Sequence, residues 1–154
     1  MGTVSSNQRL ILAGAIALCA ALLGFFLLFG PPQLLAKSES PAFCASCHVM
    51  KPQYNAYMHN GAHRRLKCVE CHLPNDNLAS HYIWKGIDGM KDVLVFNTNT
   101  VPERITISDH GAAVVKANCI RCHHALVSQM DTSRKCWNCH RRITHTGTGA
   151  LQTL

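Results

Sequence analysis

The chain has 154 residues, 47% of them apolar, and its 15 Lys+Arg against 8 Asp+Glu leave a formal charge of +7; this is one domain's length. Much of the apolar share sits in one uninterrupted block, and eight of the nine cysteines stand in CxxC pairs, which excludes a large aliphatic core. With ten histidines also present, the organising element is to be sought among disulfides, structural metal and covalently attached haem.

In chain order, Leu10 to Phe29 (LILAGAIALCAALLGFFLLF) carries no charge and as a helix spans about 30 Å, the thickness of a bilayer's hydrocarbon. A cleaved signal peptide would have an apolar region of about 7–15 residues ending in an A-x-A-like site. Here the run is longer, and Gly30-Pro31-Pro32 breaks the helix where Leu34 and Ala36 would have to serve for cleavage. The block therefore predicts an uncleaved single-pass anchor within residues 1–30. Arg9 before it faces Lys37 after it, and Glu39 neutralises Lys37, so the flanking charge favours a cytoplasmic N-terminus. A Pro/Ser-rich connector (31–43) leads into residues 44–146, which hold all four CxxC units, and 147–154 reads as a flexible tail.

The CxxC units start at Cys44, Cys68, Cys119 and Cys136, two close pairs around a cysteine-free centre. In that centre Leu78 to Phe96 reads as a helix with Trp84, Ile87, Val93 and Leu94 on a broad apolar side. Lys85, Asp88 and Asp92 form a polar stripe at i, i+3 and i+7, while Gly86 and Gly89 weaken the helix. Asn97 to Pro102 reads as a loop, and Ser108 or Asp109 caps a helix running to about His124. No convincing β-alternation is present.

Each CxxC pair is followed at once by histidine: Cys44, Cys47, His48; Cys68, Cys71, His72; Cys119, Cys122, His123; Cys136, Cys139, His140. This is the attachment pattern of c-type haem. Two thiols two residues apart reach the two vinyl groups of one porphyrin, and the adjacent imidazole drops onto the iron. A zinc site built from two CxxC pairs gives no reason for the histidines, which would fall at all four places by chance roughly 1 time in 50,000. Cys19, in mid-anchor, reads as a small apolar helix residue. The expected fold is mainly α with many loops: a single N-terminal transmembrane helix and a small multihaem cytochrome c domain organised around four covalently bound c-type haems. Such haem is attached outside the bacterial cytoplasm, which places the domain on the periplasmic side. Arg9 is the one basic residue before the anchor and all acidic residues follow it, so the remainder carries +6, which about eight propionates more than cancel. The basic pI is therefore no sign of nucleic acid.

An apolar anchor, four CxxCH motifs with the first extended to CASCHVM, and the Trp84 to Asp92 segment between the second and third together resemble the NapC/NirT family of membrane tetrahaem quinol dehydrogenases. The short chain and Met50 bring it nearest to that family's small subunits of cytochrome c nitrite reductase. The resemblance runs from the anchor through His145. It implies a single-pass protein of the cell inner membrane that oxidises menaquinol and passes electrons to the periplasmic catalytic subunit of cytochrome c nitrite reductase.

Resemblance also implies the ligands. His72, His123 and His140 are proximal ligands of their irons. Met50, two residues beyond His48, takes the first iron in place of that imidazole and raises its potential. His59 and His145 are distal ligands, with His63 the rival of His59 because both lie on one helical face at i, i+4. Beyond His124 no spare histidine lies between motifs three and four, so one iron lacks an internal second imidazole and is open to a residue of the partner. Lys85 and Asp92 are implied as the quinol-binding and proton-transfer residues beside the first haem, against the plainer reading of a solvated stripe in which Lys85 pairs with Asp88 or Asp92. Three rival functions remain: quinol dehydrogenase for a different periplasmic reductase, a structural membrane tether for another cytochrome, and an autonomous small multihaem reductase, for which the chain is too short to enclose a polar pocket around an open iron. Pyridine haemochrome absorbance with protein mass is expected to give four haems per chain through the eight paired cysteines; a ratio near two would contradict the motif reading.

Overall fold

The computed structural model describes residues 5–30, 33–59 and 61–145; the expected tail at 147–154 lies outside them. Helix α1 (Ser6–Phe29) begins four residues ahead of the apolar block. Ser5 starts it as half of a capping box, its hydroxyl accepting from the Gln8 amide while the Gln8 side chain accepts from the Ser5 amide. At 24 residues it is long and apolar enough to cross a membrane, and Gly30 closes it through an amide bond to the Phe26 carbonyl. The connector then folds into two short helices, α2 (Leu34–Lys37) and α3 (Pro41–Cys44), the latter capped by the Ser40 hydroxyl with Pro41 at its first position.

A 3-10 turn (His48–Met50) runs into α4 (Lys51–Met58). Helix α5 (Cys68–His72) is the second CxxCH motif itself. Helix α6 (Leu78–Asn97) matches the periodicity reading to within one residue, because the Asn77 side chain caps it at the Ser80 amide and two glycines are outweighed by the residues around them. Helix α7 (Asp109–Val127) is capped by the Ser108 hydroxyl at the Gly111 amide and runs three residues beyond the expected end. Two further 3-10 turns, Cys136–Asn138 and Arg141–Ile143, carry the fourth motif and the residues just after it. The described residues contain no strand.

One expectation fails locally. Helix α4 ends at Met58, with His59 as its cap residue, so His59 and His63 do not share a helical face. The apolar side of α6 faces outward. Ile87, Val93 and Leu94 are exposed, while Trp84 turns to stack on His110 at 3.7 Å.

Aliphatic packing is sparse: among the described residues the buried apolar side chains are Tyr57, Leu73, Ala112 and Val114. The main contact in the domain is that of α5 with α7, and a buried amide holds it. Asn118, 5% exposed, donates to the carbonyls of Cys71 (3.0 Å) and Leu73 (2.8 Å). Its oxygen accepts from Asn75 and Arg121. One residue ahead of the third motif thus grips the end of the second. Asn118→Ala is expected to cost about 1–3 kcal/mol by stranding buried carbonyl groups, read as a lower unfolding free energy of the haem-loaded protein in denaturant titration.

Candidate multihaem site

The four motifs sit on four kinds of support. Cys44 ends α3, Cys68 to His72 make up α5, Cys119 to His123 lie in the last turns of α7, and Cys136 starts a 3-10 turn. At His123 the backbone leaves helical angles (φ −111°, ψ 16°), which swings that imidazole out of the helix's own register. All eight paired thiols are free, and they meet in chain order. Cys44 bonds to Cys68, Cys71 feels Cys122 across the α5–α7 contact, and Cys119 bonds to Cys136. The hydrogen bond from Cys68 brings the Cys44 thiol down to about 7, and the same bond drives Cys68 up. Burial pushes Cys71 up, and burial with the Cys136 neighbour pushes Cys119 up to about 11. The motifs therefore form a file from the first to the fourth.

Imidazoles come together in two places. The rings of His72 and His145 have centres 6.0 Å apart and are tilted by 39°, and those of His63 and His123 have centres 6.1 Å apart and meet edge-on at 75°. Metal–imidazole bonds of about 2 Å, plus roughly 1 Å from nitrogen to ring centre, put two rings about 6 Å apart across one metal ion. Both pairs have that spacing. Burial, with His145 beside it, holds the pKa of His72 below the usual histidine value. His145 is lowered likewise by burial.

The surface area makes the same point. The chain exposes 12244 Å², whereas a compact monomer of 16.9 kDa would expose about 7,700 Å². The exposed apolar side chains of α1 and the sparse packing of the domain both contribute to the excess. Porphyrins joined to these cysteines would provide the missing core. Among the described residues no three His, Cys, Asp or Glu side chains converge on one point, as a zinc site would need.

His59 is placed differently from His63. It is exposed, and its Nδ1 lies 2.7 Å from the Asn55 carbonyl at the end of its own helix. His48 is exposed with its ring on Phe96, 5.4 Å between centres, while Met50, half-buried, closes the 3-10 turn after it. His140 takes part in neither imidazole pair.

Lys85 reaches the connector that leads into the first motif, whereas Asp92, two turns further along α6, faces water. Their partners are not each other. Asp92 lies 3.9 Å from Lys91, and Lys91 pairs with Asp88 at 3.3 Å. Partial burial raises the Asp92 carboxyl, Lys91 opposes this and Asp88 adds to it; with 76% of the side chain accessible the upward pull is weak. Lys85, 18% exposed, donates to Glu39 at 3.3 Å and to the Leu35 carbonyl at 3.4 Å. Neither residue lines the open groove of about 830 Å³ along the outer face of α6. Sequence reasoning missed the buried Asn118 and saw Glu39 only as the neutraliser of Lys37, since its true partners lie 28 to 46 residues away.

A helical protein on one apolar N-terminal helix, with a file of CxxCH motifs in place of an aliphatic core, is a multihaem c-type cytochrome by class. The chain belongs to the NapC/NirT cytochrome c family, whose N-terminal-region model matches residues 6–150, and family membership brings covalently bound c-type haem with it. It is 32% identical to the cytochrome c-type protein NrfH of Wolinella succinogenes, over 91% of this chain and 89% of that one. It is also 32% identical to the cytochrome c nitrite reductase subunit NrfH of Nitratidesulfovibrio vulgaris, over 70% of this chain and 69% of that one. Among solved structures it matches a chain of a cytochrome c nitrite reductase NrfHA complex bound to the HQNO inhibitor, with a TM-score of 0.69 and 29% identity over 84% of this chain and 90% of that chain.

Proposed function

We propose that this chain is the membrane-anchored electron-transfer subunit that oxidises menaquinol and passes the electrons to the periplasmic catalytic subunit of cytochrome c nitrite reductase. The observation that carries the quinol half is the hold on Lys85, through Glu39 and the Leu35 carbonyl, of a connector that leaves the anchor and enters the first motif at once. The partner is carried by the likeness to NrfH and to the NrfHA complex. The anchor occupies 1–30, the connector 31–43 and a tetrahaem domain 44–146, on the periplasmic side of the cell inner membrane.

Four covalent haems, held by the eight paired cysteines, would supply one-electron carriers in the order in which the motifs touch. This chain's residues do the rest. Met50 is the ligand proposed at the first motif in place of His48, whose ring packs on Phe96. His72 with His145 and His123 with His63 are the imidazole pairs, the latter replacing His59 on the strength of the ring spacing. His140 is the proximal ligand of the fourth motif. A quinol gives up two protons with its two electrons, so its site needs a donor to the quinol oxygen and a base open to water. The Lys85 ammonium is the donor. Asp92, open to water, is the base.

Lys85→Leu and Asp92→Asn, made separately, are expected to slow haem reduction by a menaquinol analogue about 10- to 100-fold while reduction by dithionite stays complete. Wild-type quinol rates in both would dismiss the site. For the ligands, His63→Ala is expected to convert one haem to a high-spin ferric signal in electron paramagnetic resonance, whereas His59→Ala leaves the low-spin signals unchanged; the reverse pattern would restore His59.

A further inference from the structure

Glu39 lies in the connector between the anchor and Cys44, and only 13% of its side chain is exposed. It gathers groups from two other parts of the chain. Lys85 donates to its Oε1 at 3.3 Å, Lys67 to its Oε2 at 3.3 Å, and His81 Nε2 stands 3.6 Å from Oε1. Burial alone would raise the Glu39 carboxyl, but the two lysines outweigh it and hold it below the usual carboxylate range. It is a standing negative charge.

A lysine is a point charge on a flexible stem, and presenting its ammonium in one place costs rotamer entropy. Glu39 and the Leu35 carbonyl, both from the connector, lower that cost by holding the Lys85 end between them. The second lysine matters for a different reason. A carboxylate this enclosed would be stranded if its one cation turned away, which is costly. Lys67, 48% exposed and bound to the other oxygen, keeps Glu39 compensated when Lys85 turns to another acceptor. Lys85 is thus placed without being locked.

We infer that Glu39 is a positioning residue of the quinol site, holding the Lys85 ammonium beside the first haem motif and, with Lys67 as second counter-ion, yielding it to the quinol oxygen. The inference rests on the quinol reading of Lys85 above, and the test separates the two. The quinone analogue HQNO is titrated by calorimetry into the detergent-solubilised, haem-loaded full chain as wild type, Glu39→Gln, Lys85→Leu and the double variant. Glu39→Gln is expected to weaken binding about tenfold at unchanged haem content, and the double variant to bind no more weakly than Lys85→Leu, because Glu39 acts through the lysine. Wild-type affinity in Glu39→Gln overturns the inference. So does a further loss on adding Glu39→Gln to Lys85→Leu, which would assign Glu39 a contact or a connector-packing role of its own. Wild-type affinity in Lys85→Leu removes the quinol reading, and the inference with it. Should Glu39→Gln fail to take up its haems, Glu39→Asp replaces it, with a loss of two- to threefold expected and wild-type affinity again decisive against.

Discussion

The contact between α5 and α7 is what the rest of the domain depends on. A five-residue helix has no stability of its own, and with so few buried apolar side chains little hydrophobic force is available to dock it. The Asn118 amide does so instead, holding the Cys71 and Leu73 carbonyls from the residue next to Cys119. In a dry enclosure each of these bonds is worth more than at the surface, and leaving one unmade is expensive. Because the grip falls at the join of motif two and motif three, it also spans the longest gap between consecutive motifs, the 51 residues from Cys68 to Cys119. Loop closure on that scale is the step local propensity does least to help.

With that join in place, the other motifs are reached by short tethers. Cys136 is 17 residues beyond Cys119 and Cys68 is 24 beyond Cys44, and both pairs touch. A file of redox groups is the simplest arrangement such tethers allow. Its direction, from a connector leaving an apolar helix to a fourth motif at the far end of the chain, is what an electron carrier between a membrane and a soluble partner requires. The scarcity of aliphatic core suits such a chain, since covalently attached haem would fill volume that side chains otherwise fill.

The connector has a comparable role at the membrane end. Pro41 and Ser40 start α3, so that Cys44 closes a helix rather than trailing from a loop. Glu39, just ahead of it, ties the connector to α6 through Lys85 and His81, and to the entry of α5 through Lys67. An exposed ion pair contributes little. Here one enclosed carboxylate serves several donors, and its use lies in where it puts them.

Covalent pattern and local periodicity were readable without coordinates. Four CxxCH units state the cofactor chemistry because attachment depends on residue type at fixed spacing. A charge-free run of bilayer length states the anchor, and Asn77 and Ser108 mark the starts of α6 and α7 because caps are one-residue signals. Which of His59 and His63 comes to His123 was not readable: the two are equivalent in sequence, and α4 stopping at Met58 separates them and leaves His63 beside His123. Nor were Asn118 and Glu39, whose partners lie tens of residues away. Lys85 and Asp92 formed one stripe on paper, whereas the fold brings Glu39 to the lysine and leaves the aspartate facing water. Local propensity and covalent chemistry act over a few residues and so are written in the sequence. Pairing between remote side chains depends on which surfaces meet, and the tertiary structure alone decides that.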